Sequence, residues 1–321
     1  MTRLADTTTV SLTRGWVDAV VLPREGGVLA QLRVAGRSVL AETPWADAAG
    51  ASSTPANSEA DWVDRWRGGW QLCFPSAGAA DPGSRWPQGF HGVASQAGWD
   101  VTAASIDRVS LRWHDEFSLT AERTWQLTDS GARVETVVRN GGPESRPIVV
   151  AEHLILGGDI LASVLEDDTE LRLSPPPGSR LAALDYDGHP QVGPEPWPGH
   201  PGQQWERIDR GTPARVAALV DLEPGVILIE GDHVTVTVAW RGLSHALLWE
   251  ELAHSDEPPW NGSVVALGIE PTSAPHGRGT ALPEGTITLE PGDVLQWQAE
   301  LAIDWHGEAA PSTPPTPQEQ P

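Results

Sequence analysis

Four side chains in this sequence sit where proton transfer and the holding of a polar ligand are both chemically plausible. Arg67 opens the run "RGGWQLCFPSAG", His91 stands in "GFHGVASQAGW", His153 follows Glu152 inside the apolar segment "PIVVAEHLIL", and Glu270 lies in "VALGIEPTSAP". A histidine and a glutamate carried by apolar segments are what a general acid–base site uses, because partial burial shifts an imidazole from its ordinary pKa of about 6.5 and a carboxyl from about 4.3. The same residues also fit plainer roles. A strand histidine is ordinarily packed in a core or at an edge, and an arginine is ordinarily an ion-pair partner.

Other chemistries have little to stand on. All 21 basic residues are arginine, which removes Schiff-base chemistry, pyridoxal phosphate anchoring and the lysine of a phosphate loop. His245 and His254, like His189 and His200, match no recurrent metal spacing, and Cys73 is the only cysteine, so no metal site is expected. "GGDI" at 157–160 and "GRGT" at 277–280 read as glycine turns without the strand-then-helix setting of a phosphate loop. Ser76, in "FPSAG", lacks the glycine framing of a nucleophile elbow.

The elements that must position the four residues are strands. Short segments rich in Val, Leu, Thr and Trp recur between Gly, Pro, Asn and Asp, among them "VLAQLRV", "LTAERTWQL", "ARVETVVRN", "RPIVVAEHLIL" and "DVLQWQAELAI". In "ARVETVVRN" the alternation sets Val134, Thr136 and Val138 on one face. Long helical patterns are nearly absent, so the fold class is all-β, a large antiparallel sandwich or a barrel. Residues 44–66, with a short helix near Glu59 to Trp66, and residues 174–210 read as long loops suited to rimming a site. Residues 306–321 have the composition of a disordered Pro-rich tail.

Charge and cysteine usage bound the partners. At 321 residues and a formal net charge of −23, the chain has no basic stripe for nucleic acid or an anionic membrane surface, and neither partner is expected. A single cysteine suits a reducing compartment, and Cys73 reads as a packed residue. With no apolar run of roughly 18 residues and no signal core at the N-terminus, a cytoplasmic location is expected.

Taken in order, "LPREGGVLAQLRVAGRSVL", "RGGWQLCFPSAG", "GFHGVASQAGWDV", "EHLILG", "LGIEPTSAP" and "LEPGDVLQWQAEL" resemble the aldose 1-epimerase, or galactose mutarotase-like, superfamily from roughly residue 15 to 304. The resemblance implies an antiparallel β-supersandwich over residues 1–305, with an open face that binds a small-molecule carbohydrate and needs no cofactor. It implies that His153 is the acid that protonates the ring oxygen, that Glu270 is the base that takes the anomeric proton, and that Arg67 and His91 hold sugar hydroxyls. Trp66, Trp70, Trp86 and Trp99 flank these motifs and suit either sugar contact or core packing.

Some positions depart from the family pattern. Trp70 and Gln71 follow "RGG", and Ser95 in "HGVAS" stands where the hexose-6-phosphate branch carries an arginine, leaving Arg65 or Arg85 as the substitutes. "LILGG" follows His153 where the galactose branch is aromatic, and Asp159, Asp185 and Asp256 are the candidates for that branch's substrate aspartate. Two other readings stay open: a non-catalytic carbohydrate-binding protein on the same fold, and a lyase or glycoside hydrolase using Glu152 with Glu270 as carboxylates about 5–9.5 Å apart.

Overall fold

The alternation read from the sequence governs the architecture. In the strand Gly131–Asn140, Val134, Thr136 and Val138 are buried while Glu135 and Arg139 are not. The structure, a computed structural model, describes residues 8–47, 55–166, 169–191, 193–199, 204–258 and 260–307. His200 and the predicted tail from residue 308 onward lie outside these. Described strands form an 11-stranded sheet, a 9-stranded sheet and a two-stranded ribbon, with antiparallel pairing throughout. The two large sheets enclose the main apolar core, to which Leu32, Trp125, Leu154, Val236, Ile269 and Trp297 contribute. The protein is an all-β sandwich, as expected.

Two α-helices occur among the described residues. α1 spans Glu59–Val63, inside the loop where a short helix was predicted, and Ser58 caps it by accepting from the Asp61 backbone N–H at 3.2 Å. α2 spans Gly158–Glu166 and corrects the reading of "GGDI" as a simple turn, since the strand Ala151–Leu156 runs almost directly into it.

Four neighbouring strands of the larger sheet carry the site: Trp70–Cys73, Ala151–Leu156, Val265–Thr272 and His245–Leu252, in that spatial order. All six residues of Ala151–Leu156 are buried, so the strand is covered on both faces. Leu154 and Leu156 join the core between the sheets, whereas Ile155 joins a separate cluster on the outer face with Trp62 and Trp66. Glu152 therefore points inward and His153 outward. The Glu152 carboxylate is fully satisfied within the core. Arg123 grips it at 2.7 and 2.6 Å, and the indole N–H groups of Trp70 and Trp297 donate at 2.8 and 2.7 Å.

The glycine pair of "RGG" has a backbone explanation. Gly68 and Gly69 have φ of +92° and +86°, and a Cβ on either would lie 2.1 Å from the Ala41 carbonyl oxygen or 2.6 Å from that of Leu29. The turn lets Trp70–Cys73 join the sheet beside Val28–Val34.

Candidate active site

Strand pairing brings the candidate acid and base together. Ala151 opposes Thr272 and Ile155 opposes Gly268, and His153 and Glu270 each lie midway between these paired points, on the outer face. On its other flank Glu270 opposes Leu247, and His153 opposes Gln71. Gly268, two residues before Glu270, makes the arrangement possible. A Cβ there would lie 2.6 Å from Glu270 Oε1 and 3.1 Å from Trp249 Cβ.

His153, Glu270 and His91 all line one cavity of about 310 Å³. The His91 and His153 rings lie 4.9 Å apart, centroid to centroid. Around them stand Trp62, 4.5 Å from His91 and 5.6 Å from His153, Trp66, 5.7 Å from His153, and Phe90, 4.4 Å from His91. Trp249 and Trp260 complete the aromatic wall, and Glu59, Tyr186, Asp187 and Arg278 lie toward the polar side. α1 turns Trp62 inward, so the long loop before the first site strand does contribute to the site.

Burial sets the charge state. It holds His153 down at about 3 and pushes Glu270 up to about 8. At neutral pH the histidine is therefore neutral and the proton sits on the carboxyl. His91 is driven well below the ordinary imidazole value, first by burial and then by His153. Its Nδ1 accepts the Gly78 backbone N–H at 3.1 Å, which puts the imidazole hydrogen on Nε2. Cys73 Sγ lies 3.2 Å from the same Nδ1, and burial keeps that thiol protonated, so it too is oriented as a donor. His153 Nδ1 and Trp66 Nε1 are buried with no hydrogen-bond partner among the described residues. Such atoms on a cavity wall suit a ligand rich in hydroxyls.

The remaining predicted residues fall elsewhere. Arg67 does not line the cavity. Its Nε donates to Glu25 Oε2 at 2.7 Å, so the residue expected to hold hydroxyls forms an ion pair. Trp70 and Trp99 are core residues, and Trp86 packs between Phe117 and the Arg146 guanidinium, leaving Trp66 as the one of the four flanking tryptophans that reaches the cavity. Arg85 pairs with Glu144, and neither it nor Arg65 lines the cavity. Glu152 and Glu270 face opposite sides of one sheet, so they cannot act as paired carboxylates on one substrate.

Of the candidate aspartates, Asp159 accepts the Ser38 backbone N–H at 2.6 Å and Asp185 braces the 185–191 turn by accepting from the His189 backbone and the Gln191 side chain. Asp185, Asp187 and His189 bring ligand atoms within 4.8 Å of one another. The hydrogen bonds that occupy Asp185 account for that grouping as a turn.

No sequence-family model matches the chain, and no curated protein sequence matches it. Solved structures do. A galactose mutarotase-like protein from Lactobacillus casei ATCC 334 superposes with a TM-score of 0.68 at 18% identity, covering 92% of this chain and 100% of that one. An Escherichia coli K12 protein provisionally assigned as an aldose 1-epimerase gives 0.66 at 14%, covering 93% and 99%. A galactose mutarotase-like protein from Clostridium acetobutylicum gives 0.65 at 15%, covering 92% and 95%.

The chain has the galactose mutarotase-like fold.

Within this mutarotase-like frame, several cavity residues escaped the sequence reading. Trp62, Trp249 and Trp260 come from three separate segments, and a tryptophan in a β-rich chain gives no sign of which face it occupies. Tyr186 and Asp187 belong to the 174–210 loop, which did read as a rim. Arg278 sits in "GRGT", read only as a turn, and its side chain donates to the Asp187 carbonyl at 3.3 Å. The mutarotase-like sheet thus presents a histidine–glutamate pair inside an aromatic cavity, with a second histidine beside it.

Proposed function

We propose that this protein is an aldose 1-epimerase, interconverting the anomers of a sugar by acid–base ring opening. The observation that carries this reading is that His153 and Glu270, on adjacent antiparallel strands, are both buried and both line the same cavity.

Opening a hemiacetal moves two protons. One leaves the anomeric hydroxyl, and one reaches the ring oxygen as the C1–O5 bond breaks and the C1 carbonyl forms. Rotation about C1–C2 exposes the other carbonyl face, and closure returns both protons. The site therefore needs one group with a proton and one without. Between about pH 3 and about pH 8 the His153–Glu270 pair holds one proton in total, which meets that requirement. Burial puts this proton on Glu270, the reverse of the placement the family resemblance implies. A sugar hydroxyl donated to the carboxylate favours its ionised form and draws the proton back toward His153. Closure reverses both transfers, so each residue acts once as acid and once as base in either case.

His91 supplies the third element. With hydrogen on Nε2 it is a donor, suited to holding a sugar oxygen. The aromatic walls of Trp62, Trp66 and Trp249 suit the C–H faces of a pyranose.

Exchange spectroscopy on the anomeric protons of a panel of aldoses tests the proposal. The wild type is expected to accelerate interconversion beyond buffer, and His153→Ala and Glu270→Gln to lower the rate by roughly 10²–10⁴-fold each. Sugar binding without acceleration by the wild type would instead mark a carbohydrate-binding protein on this fold.

A further inference from the structure

Glu250 is a buried carboxyl group that the cavity does not use. Its strand, His245–Leu252, turns Trp249 toward the cavity and Leu248 and Leu252 into the core between the sheets, so Glu250 points into the core and away from the cavity. It is 0% exposed, and its Oε1 has no hydrogen-bond partner among the described residues. Arg215, opposite it on the next strand, donates from Nε to Oε2 at 2.6 Å. The same guanidinium lies 4.2 Å from the ring centroid of Trp205 and donates from Nη2 to the Arg207 carbonyl at 3.3 Å.

Trp205 and Arg207 belong to a segment, residues 204–212, whose backbone is part of the nine-stranded sheet at its edge. Ile208 opposes Leu171 there, and the Glu206 carbonyl accepts the Leu173 N–H at 2.9 Å. Across to the larger sheet the segment is held by side chains. Arg215 is one, and His254, whose Nε2 donates to the Arg210 carbonyl at 3.0 Å, is another. A polar cavity of about 430 Å³, lined by Arg207, Asp209 and Arg210, gives the segment open space on another side.

The polar groups of this cluster are poorly matched. Trp205 Nε1 and Glu206 Oε2 are also buried without a partner among the described residues. Around Glu250, Leu267 flanks it on the neighbouring strand, and the strand Leu171–Ser174 sends Leu171 and Leu173 into the core. Glu251 is engaged with the backbone of His254 and Ser255, and Arg207 is paired with Glu170. Arg215 is thus the cation that serves Glu250, with Asp209 and Glu206 as further carboxylates on the segment itself. A buried carboxylate with one oxygen unsatisfied is costly to keep charged.

We infer that Glu250, Arg215 and Trp205 form a pH-sensitive latch: neutral Glu250 leaves segment 204–212 docked on the larger sheet, and ionised Glu250 releases the segment so that water reaches the carboxylate. The sign follows from linkage. Burial raises Glu250 from 4.5 to about 7, against the lowering effect of Arg215 and with a further push from Asp209. Release hydrates the carboxyl and returns it toward its ordinary value. The docked form therefore holds the proton more tightly, and release becomes easier as pH climbs from about 4.5 to about 7, then levels off.

Solvent exchange of the Trp205 indole N–H tests this in the full chain labelled with ¹⁵N-tryptophan, its resonance identified by its loss in Trp205→Phe. That hydrogen is buried and unbonded, so it meets water when the segment releases. With the intrinsic pH dependence of indole exchange divided out, its rate should rise by up to about 10²-fold from pH 5 to pH 8. The Trp297 indole, bonded to Glu152 in the core, should stay level. Glu250→Gln, neutral at every pH, should hold the Trp205 rate low throughout. Asp209→Asn keeps an acceptor for the Gly211 N–H and should move the response to lower pH. His254 adds no such response, because protonation of its ring leaves the Nε2 hydrogen in place. A level Trp205 rate in the wild type, or an unchanged pH response in Glu250→Gln, would overturn the inference. If Glu250→Gln does not fold, an unmoved response in Asp209→Asn overturns it instead.

Discussion

Glu270 and His153 respond to pH in opposite directions, and the signs can be worked out residue by residue. Glu270 rises in the folded protein from about 4.5 to about 8. Its protonated form is favoured by folding, so its contribution to stability is complete below about pH 4.5 and is lost as pH rises toward 8. His153 falls from 6.5 to about 3, so its contribution is complete above about pH 6.5 and is lost as pH falls toward 3. Glu270→Gln keeps a neutral side chain at every pH. Its stability relative to wild type should therefore grow between pH 4.5 and 8, reaching a few kcal/mol, in urea unfolding at pH 5, 7 and 9. A difference that stayed constant with pH would show that the carboxyl is not raised. The kcat/KM profile should fall above about pH 8, as the pair loses its shared proton. His91 offers a test independent of turnover: its ¹⁵N shifts should report hydrogen on Nε2 and a bare Nδ1 from pH 6 to 9, the form fixed by Gly78 and Cys73.

At the scale of elements, the strand Val265–Thr272 shows how a missing side chain positions a present one. Gly268→Ala would press a methyl group against Glu270 Oε1 and the Trp249 Cβ, displacing the carboxylate within an otherwise intact strand. We expect kcat/KM to drop by about 10²-fold with little change in melting temperature, since a misplacement of about 1 Å costs that much. Which face His153 and Glu270 occupy was hidden, since both strands are buried almost throughout, but their carriage on apolar strands was legible in the sequence. The role of Arg67 was not. A turn that needs two glycines with positive φ carries the same letters whether its arginine meets a ligand or, as here, Glu25. The aromatic wall was hidden for another reason. Trp62, Trp249 and Trp260 converge only through sheet order and the placement of α1, which are long-range outcomes of packing. Gly68 and Gly69 belong to the same scale, as turn residues that bring the strand Trp70–Cys73 into the sheet.

For the whole molecule, the Arg123–Glu152 pair joins the two sheets through the middle of the core, with both side chains fully buried. Glu152→Gln would leave the Arg123 charge buried without its carboxylate, at a cost of about 3–5 kcal/mol in chemical unfolding, whereas Arg123→Met with Glu152→Gln, which removes the charge and keeps an acceptor for the Trp70 and Trp297 indoles, should cost less. The result that would count against this is an equal loss in the single and double variants. The pair also bears on how the chain finds its fold. Glu152 and His153 are adjacent and face opposite ways, so a shift of one residue in this strand would send the carboxylate to the cavity, strand Arg123 in the core and turn His153 against apolar side chains. Mispairing is thus penalised by charge as well as by lost packing. The core ion pair serves as an error check on assembly, rejecting alignments of the strand that do not deliver the histidine to the cavity.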